Sequence, residues 1–96
     1  MDYPYRVDWA KNTRELFVEL ADRAARKGVR KEFLEAAKTV FHRLHTDPLI
    51  FGDPRFHLPD MDVEVRTGMV SLLFVEYGVN EKEKLVWVRD LVLMVE

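Results

Sequence analysis

The sequence contains no cysteine and no long apolar run. Without cysteine, disulfide bonds and thiolate metal sites are excluded, and the chain fits a reducing compartment. No apolar stretch approaches the roughly 20 residues that a membrane-spanning helix needs. Residues 1–5 also lack the basic and apolar regions of a secretory signal. We therefore expect a cytoplasmic protein without membrane partners.

Neither sign of charge dominates the chain. The 15 Lys and Arg residues are balanced by 17 Asp and Glu residues, which gives a formal net charge of -2. Proteins that hold nucleic acid through its phosphates usually carry a basic face. The balance argues against that role, although it leaves room for a local basic patch. The glycine-rich phosphate loop, nucleophile elbow and dinucleotide fingerprint are absent as well.

The chain does have enough apolar material for one core. Hydrophobic residues make up 48% of its 96 residues, including six Phe, three Tyr and two Trp. This composition is not that of a disordered chain. Length and composition together predict a single domain over residues 1–96.

The first half of the sequence predicts a strand and two helices. Tyr5, Val7 and Trp9 alternate with polar residues, which is typical of a half-buried strand. Apolar residues then recur at helical spacing over residues 16–24 and 29–44. Only Gly28 and its neighbours join these two helices, so we expect an antiparallel helix hairpin. Asn12, three residues before a glutamate, predicts a capping box at the first helix start.

The second half predicts a loop and three strands. Residues 47–60 contain four prolines or glycines together with large apolar side chains, which favours a structured loop. A strand over residues 63–66 is followed by a predicted turn at Thr67 and Gly68. Residues 69–79 are nearly all apolar, as in a central strand covered on both faces. Residues 85–94 form the last predicted strand.

These elements predict an α+β domain. An N-terminal strand and a two-helix antiparallel hairpin pack on a mostly antiparallel sheet of about four strands, in the order β-α-α-β-β-β. We expect five aromatic residues to lie in the core: Phe17, Phe33, Phe41, Phe74 and Trp87. If the helices leave one side of the 69–79 strand uncovered, its apolar residues mark a partner site.

This order of elements resembles the RelE/ParE superfamily of bacterial toxin–antitoxin toxins, of the plasmid-stabilisation type. The segments 44–48 and 51–54 with Leu58 look like the helix end and loop of that family. Residues 63–68 are similar to the start of its signature R-x-G-x-x-R. Arg66 and Gly68 match that signature, whereas Ser71 stands where the second arginine would fall.

The resemblance implies a toxin-family protein that is neutralised by an antitoxin. We expect no cofactor or metal. An active member would be an endoribonuclease of the mRNA-interferase type, with RNA or the ribosome as partner. Arg66 would then contact the scissile phosphate, and Arg89 would supply a second cation. The resemblance identifies no general base, and His57 is a candidate for that role by its residue type. The C-terminal strand lacks the His or Tyr of those enzymes, and the lead-in at residues 60–62 is acidic.

Two alternatives remain open at this stage. The fold could serve as a non-enzymatic binding module, either a ParE-like inhibitor or a non-toxic interaction domain. The two arginines could also form ordinary ion pairs on the rim of the sheet, with Glu64, Glu76 or Asp90 as partners.

Two further clusters have both a functional and an ordinary interpretation. His42 and His45, with His57 and Asp53 or Asp60, contain ligand types that a transition metal accepts. No established zinc spacing is present, so exposed helix residues are the ordinary interpretation. The basic residues around the helix turn are a nucleic-acid patch or a solvated helix end: Arg23, Arg26, Lys27, Arg30 and Lys31.

Overall fold

The computed structural model describes residues 3–95. In chain order the elements are β1 (Arg6–Trp9), α1 (Thr13–Arg26), α2 (Arg30–Thr46), α3 (Pro48–Phe51), β2 (Asp53–Leu58), β3 (Val63–Val70), β4 (Leu73–Asn80) and β5 (Leu85–Leu93). The predicted α+β class is confirmed, with two main helices and one sheet. Within the described residues, no helix combines the length and the apolar character needed to cross a membrane.

The sheet has five strands in the order β1-β5-β4-β3-β2. β1 runs parallel to β5, and the other neighbours are antiparallel. The prediction of about four strands missed β2, which lies in the segment predicted as a loop. Five of the six residues of β2 are exposed, and it contains Pro54. An edge strand of this kind shows no apolar alternation, because only its backbone has to pair.

The predicted turn at Thr67 and Gly68 is wrong. Both residues lie inside β3, and the chain reverses at Ser71, which has a positive φ of 54°. Gly68 is not part of a turn. At this position the Phe51 ring packs close to the β3 backbone, and an added Cβ would lie 2.6 Å from the ring. Strand β3 therefore reaches Val70.

The helix hairpin forms as predicted, with one difference at its start. Asn12 occupies the N-cap of α1, but its side chain makes no capping hydrogen bond, so the capping box is absent. At the other end, Gly28 has a φ of 75°. The amides of Gly28 and Val29 donate to the carbonyls of Ala25 and Ala24. This double closure is a Schellman motif, and it lets α2 begin at once.

Both main helices lie on one face of the sheet, and the core lies between the two layers. Strand residues of alternate positions point into it: Leu73, Val75, Tyr77, Val79, Val86, Val88, Leu91 and Leu93. Phe33 is fully buried, with Phe17 at 5.3 Å between ring centroids. Phe17 also packs on Phe41. The prediction that β4 is covered on both faces is wrong, because the helices cover only one.

Strand β5 contains a bulge that resets its alternation. Tyr77 pairs with Val88 and Glu76 pairs with Asp90, so Arg89 is an extra residue between them. Val86 and Val88 before the bulge, and Leu91 after it, all point into the core. Bulges commonly re-aim side chains near functional sites.

Candidate functional site

Arg66 lies inside the protein. Its side chain is 8% exposed, and its cross-strand partner Tyr77 belongs to the helix-covered face. One terminal nitrogen donates to the Glu64 carboxylate. The other donates to the carbonyl oxygens of Gly52 and, at 2.8 Å, Leu49. A guanidinium enclosed by these acceptors offers no open side to a substrate phosphate.

Tyr77 and Gly52 belong to the same buried hydrogen-bond network as Arg66. The Tyr77 hydroxyl donates to the Pro48 carbonyl oxygen at 2.6 Å and accepts from the Gly52 amide at 2.9 Å. A Cβ at Gly52 would lie 2.6 Å from that hydroxyl and from the Thr67 carbonyl oxygen, so a larger residue does not fit. Burial raises the pKa of Tyr77, and the nearby Arg66 partly opposes the rise. The phenol therefore stays protonated at neutral pH and fastens α3 to the sheet.

Arg89 lies on the opposite side of the sheet. Its Cδ is 4.0 Å from the position that a Cβ on Gly78 would take, next to Trp87 and Val63. The side chain is 41% exposed, and its Nε lies 3.8 Å from a Glu76 carboxylate oxygen. That distance is too long for a hydrogen bond. The hydroxyl of Thr13, in the first turn of α1, lies 3.4 Å from the Arg89 carbonyl oxygen and contacts the bulge there.

His57 lies at the sheet edge on β2, where its cross-strand partner is Glu64. Its Nε2 is 3.6 Å from an Asp62 carboxylate oxygen, and both side chains are about half exposed. Asp62 also faces Lys82 at 3.6 Å. His57 thus borders a shallow charged depression in which Arg66 takes no part.

The three residues predicted to be catalytic do not face one cavity. Arg66 is buried on the helix side, Arg89 lies on the other face, and His57 is at the edge. The catalytic assignment therefore stays a prediction without an assembled site. Each arginine has an acidic neighbour from the set that the ion-pair alternative named: Glu64 contacts Arg66, which is buried and not on the rim, and Glu76 lies 3.8 Å from Arg89.

The histidines do not form a metal cluster in the described part of the chain. His45 places its Nδ1 3.1 Å from the Tyr5 carbonyl oxygen and stacks on the Tyr3 ring. His42 meets Tyr3 edge-on. Between residues 3 and 95, no three His, Asp or Glu side chains converge closely enough to hold a metal ion. The basic residues of the helix turn are all exposed: Arg23, Arg26, Lys27, Arg30 and Lys31.

The face of the sheet opposite the helices, here called the open face, carries two apolar areas. At one end Met69, Phe74 and Val92 are cross-strand neighbours. Met69 is 52% exposed and Val92 is 39% exposed. Phe74 and Trp87 lie on this face, so their prediction as core residues is wrong. Alternation along a strand cannot tell which of its two faces the helices cover.

The second apolar area contains a shallow cavity of about 220 Å³. This cavity, here called the Trp87 pocket, is lined by Leu58, Met61, Val63, Gly78, Trp87 and Arg89. Phe56, which is 50% exposed, pairs with Val65 beside it. Gly78 opens the floor, since a Cβ there would meet a Val63 methyl group at 2.8 Å.

A polar row separates the two apolar areas. Cross-strand pairing places Thr67 beside Glu76, and Glu76 beside Asp90. Arg55 covers Thr67, to whose hydroxyl its Nε donates at 2.8 Å. The sequence signal for this arrangement was the Arg89-Asp90 pair, two consecutive charges inside an otherwise apolar strand. Such an interruption is compatible with a bulge.

Compared with protein-family models, with curated proteins and with solved structures, the chain shows no match. A fold alone does not define an activity, so the surfaces of the molecule carry the functional information. The open face exposes the large apolar side chains Phe56, Met69 and Val92.

Proposed function

We propose that this chain is a non-enzymatic protein-binding module on a RelE/ParE-like fold, and that the open face is its binding surface. The proposed partner is an antitoxin-like protein that covers this face in a cytoplasmic complex. The observation that carries the proposal is the exposure of Phe56, Met69 and Val92 on the side of the sheet that has no helices.

The burial of Arg66 supports a binding role over RNA cleavage. Catalysis of phosphoryl transfer needs a cation aimed at the developing charge, together with a positioned base. Arg66 instead donates its hydrogen bonds to Glu64, Leu49 and Gly52 inside the protein. Arg89 and His57 lie in separate surroundings. An mRNA-cleaving toxin thus has less support than the binding module.

The composition of the open face also supports protein contact. Monomeric proteins rarely expose contiguous apolar patches larger than a few hundred Å², and such large patches mark interaction sites. Here two apolar areas flank a polar row, which resembles the mixture of aromatic, methionine and arginine side chains found in protein interfaces. The row carries charges of both signs, Arg89 beside Glu76 and Asp90. This balance of charges is not the basic face that proteins which hold RNA through its phosphates usually carry.

The test is co-expression of the tagged chain with the product of the adjacent reading frame, followed by co-purification. Met69→Glu places a charge in the middle of an apolar area of the open face. Val18→Glu is the matched control, because Val18 is 58% exposed but lies on α1. We expect wild type and Val18→Glu to retain the partner and Met69→Glu to lose it.

A parallel measurement addresses the enzymatic alternative. The chain is induced alone in a bacterial host, and growth and mRNA integrity are followed. We expect intact mRNA. Cleavage that disappears in Arg89→Gln, or co-purification that is absent or unaffected by Met69→Glu, would contradict the proposal.

A further inference from the structure

The methionines of the described part of the chain lie at its surface. Met61 is 60% exposed, and Met69 and Met94 are each 52% exposed. Among residues 3–95, the buried core cluster contains no methionine and consists of Val, Leu, Ala, Phe and Tyr. Methionine is ordinarily among the residues that are most often buried. Its position here separates the oxidisable side chains from the side chains that hold the fold together.

Two of these methionines are divided between the two apolar areas of the open face. Met69 lies in the first area, where Phe74 is its cross-strand neighbour. Met61 lines the Trp87 pocket, which is the second area, and its amide donates to the Leu58 carbonyl oxygen at 3.2 Å. The sequence contains no cysteine, so methionine thioethers are its only sulfur groups. Each apolar area therefore presents one accessible sulfur atom to an oxidant.

The chemical step at these side chains is the oxidation of a thioether by a hydroperoxide. The sulfur attacks one oxygen of hydrogen peroxide, a sulfur–oxygen bond forms, and the oxygen–oxygen bond breaks. The second oxygen leaves as hydroxide and takes up the proton of the transferred hydroxyl group to form water. One methionine and one peroxide thus give one methionine sulfoxide and one water, with two electrons passing from sulfur to peroxide.

The sulfoxide changes the open face more than it changes the fold. At an exposed position its polar oxygen is hydrated by water, so the folded state loses little. A partner covering Met69 would strip this water away, and the neighbours in its row, Phe74 and Val92, offer no hydrogen-bond donor. Burial of a polar group without a hydrogen bond is unfavourable. Oxidation should therefore act on binding and leave folding intact.

We infer that Met61 and Met69 are modification sites: a hydroperoxide oxidises them in the free, folded chain, and the sulfoxides remove the ability of the open face to bind apolar partners. The change is reversible, because methionine sulfoxide reductases restore the thioether. The chemical step is independent of the proposed function, whereas its effect on the partner rests on that function.

The first experiment uses the isolated chain and hydrogen peroxide. Peptide mass spectrometry maps the modified positions, and we expect Met61, Met69 and Met94 each to gain one oxygen atom at rates close to that of free methionine. The midpoint of urea unfolding should not change. The affinity for anilinonaphthalene sulfonate, a dye that binds apolar surface, should fall about tenfold, the scale of covering one unpaired polar group.

Matched variants assign the effect to the open face. The double variant Met61→Leu and Met69→Leu keeps apolar side chains of similar size but has no sulfur in either area. It should bind the dye equally well before and after treatment with peroxide. Met94→Leu removes an equally exposed methionine outside both areas and should remain as sensitive as wild type.

The second experiment uses the complex with the product of the adjacent reading frame. The bound partner should protect Met61 and Met69 from peroxide while Met94 still reacts. A chain that is oxidised before mixing should fail to retain the partner, and treatment with a methionine sulfoxide reductase should restore retention.

Three outcomes would overturn the inference: a lower midpoint of unfolding after oxidation, an unchanged affinity for the dye, or a double variant that remains sensitive to peroxide. If the dye affinity falls as expected but no partner co-purifies with the untreated chain, the proposed function fails and the modification sites stand. If Met69→Glu abolishes co-purification while oxidation changes neither dye affinity nor partner retention, only this inference fails.

Discussion

The two faces of the sheet are built by the same strands but differ in what covers them. On one face Leu73, Tyr77 and Val88 are sealed beneath the helices. On the other, Met69, Phe74 and Trp87 meet solvent in part. The arginines follow the same division, because Arg66 is enclosed and Arg89 is not. Residue type alone therefore does not tell whether a side chain stabilises the fold or lies on the surface. The face of the sheet on which the side chain lies decides this.

Adjacent positions on the two faces should differ most in their contribution to stability. Leu73→Ala removes a fully buried side chain from the core and should lower the free energy of unfolding by about 3 kcal/mol. Met69→Ala, on the neighbouring strand β3 and on the open face, should change it by less than about 0.5 kcal/mol. Urea unfolding measures both. Similar losses would show that the open face is covered in the native protein.

Arg66 and Arg89 should show the next largest difference in their contribution to stability. Arg66→Ala leaves the Leu49 and Gly52 carbonyls without their donor and should cost about 2 kcal/mol, after discounting the partly exposed Glu64. Arg89→Ala breaks only a long, exposed contact and should cost less than about 0.5 kcal/mol.

Chemical unfolding of the two arginine variants checks this contrast. If Arg66→Ala is less stable, a loss of activity of this variant in a toxicity assay would be explained by unfolding as readily as by lost catalysis. A larger loss of stability in Arg89→Ala than in Arg66→Ala would invert the assignment of the two faces.

The free energy of unfolding should also depend on alkaline pH, through the buried Tyr77 hydroxyl. The folded-state pKa of Tyr77 is raised above that of the unfolded chain, mainly by burial. The resulting stability is complete below the unfolded value of about 10 and is lost as pH rises through the folded value. Unfolding free energies measured across that range should fall at high pH.

Tyr77→Phe provides the control for the alkaline effect. It should remove that additional pH dependence and cost about 1 kcal/mol at neutral pH, because the hydroxyl no longer bridges Pro48 and Gly52. An unchanged alkaline profile in Tyr77→Phe would place the titrating group elsewhere.

The smallest expected effect concerns the open face without its partner. Met69→Glu should leave stability within about 0.5 kcal/mol of wild type. It should nevertheless reduce the binding of a hydrophobic dye, since Met69 is 52% exposed in an apolar area. Fluorescence titration against the Val18→Glu control measures the difference. Equal reductions by both substitutions would show that the dye does not distinguish the open face.

Periodicity predicted the helices and the three late strands because those elements bury one side against a core. It missed β2, whose exposed side chains carry no pattern and whose role is backbone pairing. It also took Gly68 for a turn, although that glycine admits the Phe51 ring. Both errors concern long-range contacts, on which local spacing carries no information.

The candidate site was harder to predict than the fold. Arg66 was identified from its place in a signature, but its burial depends on Leu49 in α3 and on Gly52, which lie 17 and 14 residues earlier in the chain. Arg89 was identified as a cation, while the bulge that places Asp90 next to it on the open face appears only in the register with β4. Composition names the chemical groups available to a site. Topology decides which of them meet.

Native-state arginine modification tests the central claim most directly. The folded protein is treated with phenylglyoxal, and the modified positions are mapped by mass spectrometry, with the exposed Arg26 as reference. The account predicts that Arg89 reacts at a rate similar to Arg26 and that Arg66 remains protected. Rapid modification of Arg66 in the folded protein, or protection of Arg89 without any partner present, would contradict the division between the two faces.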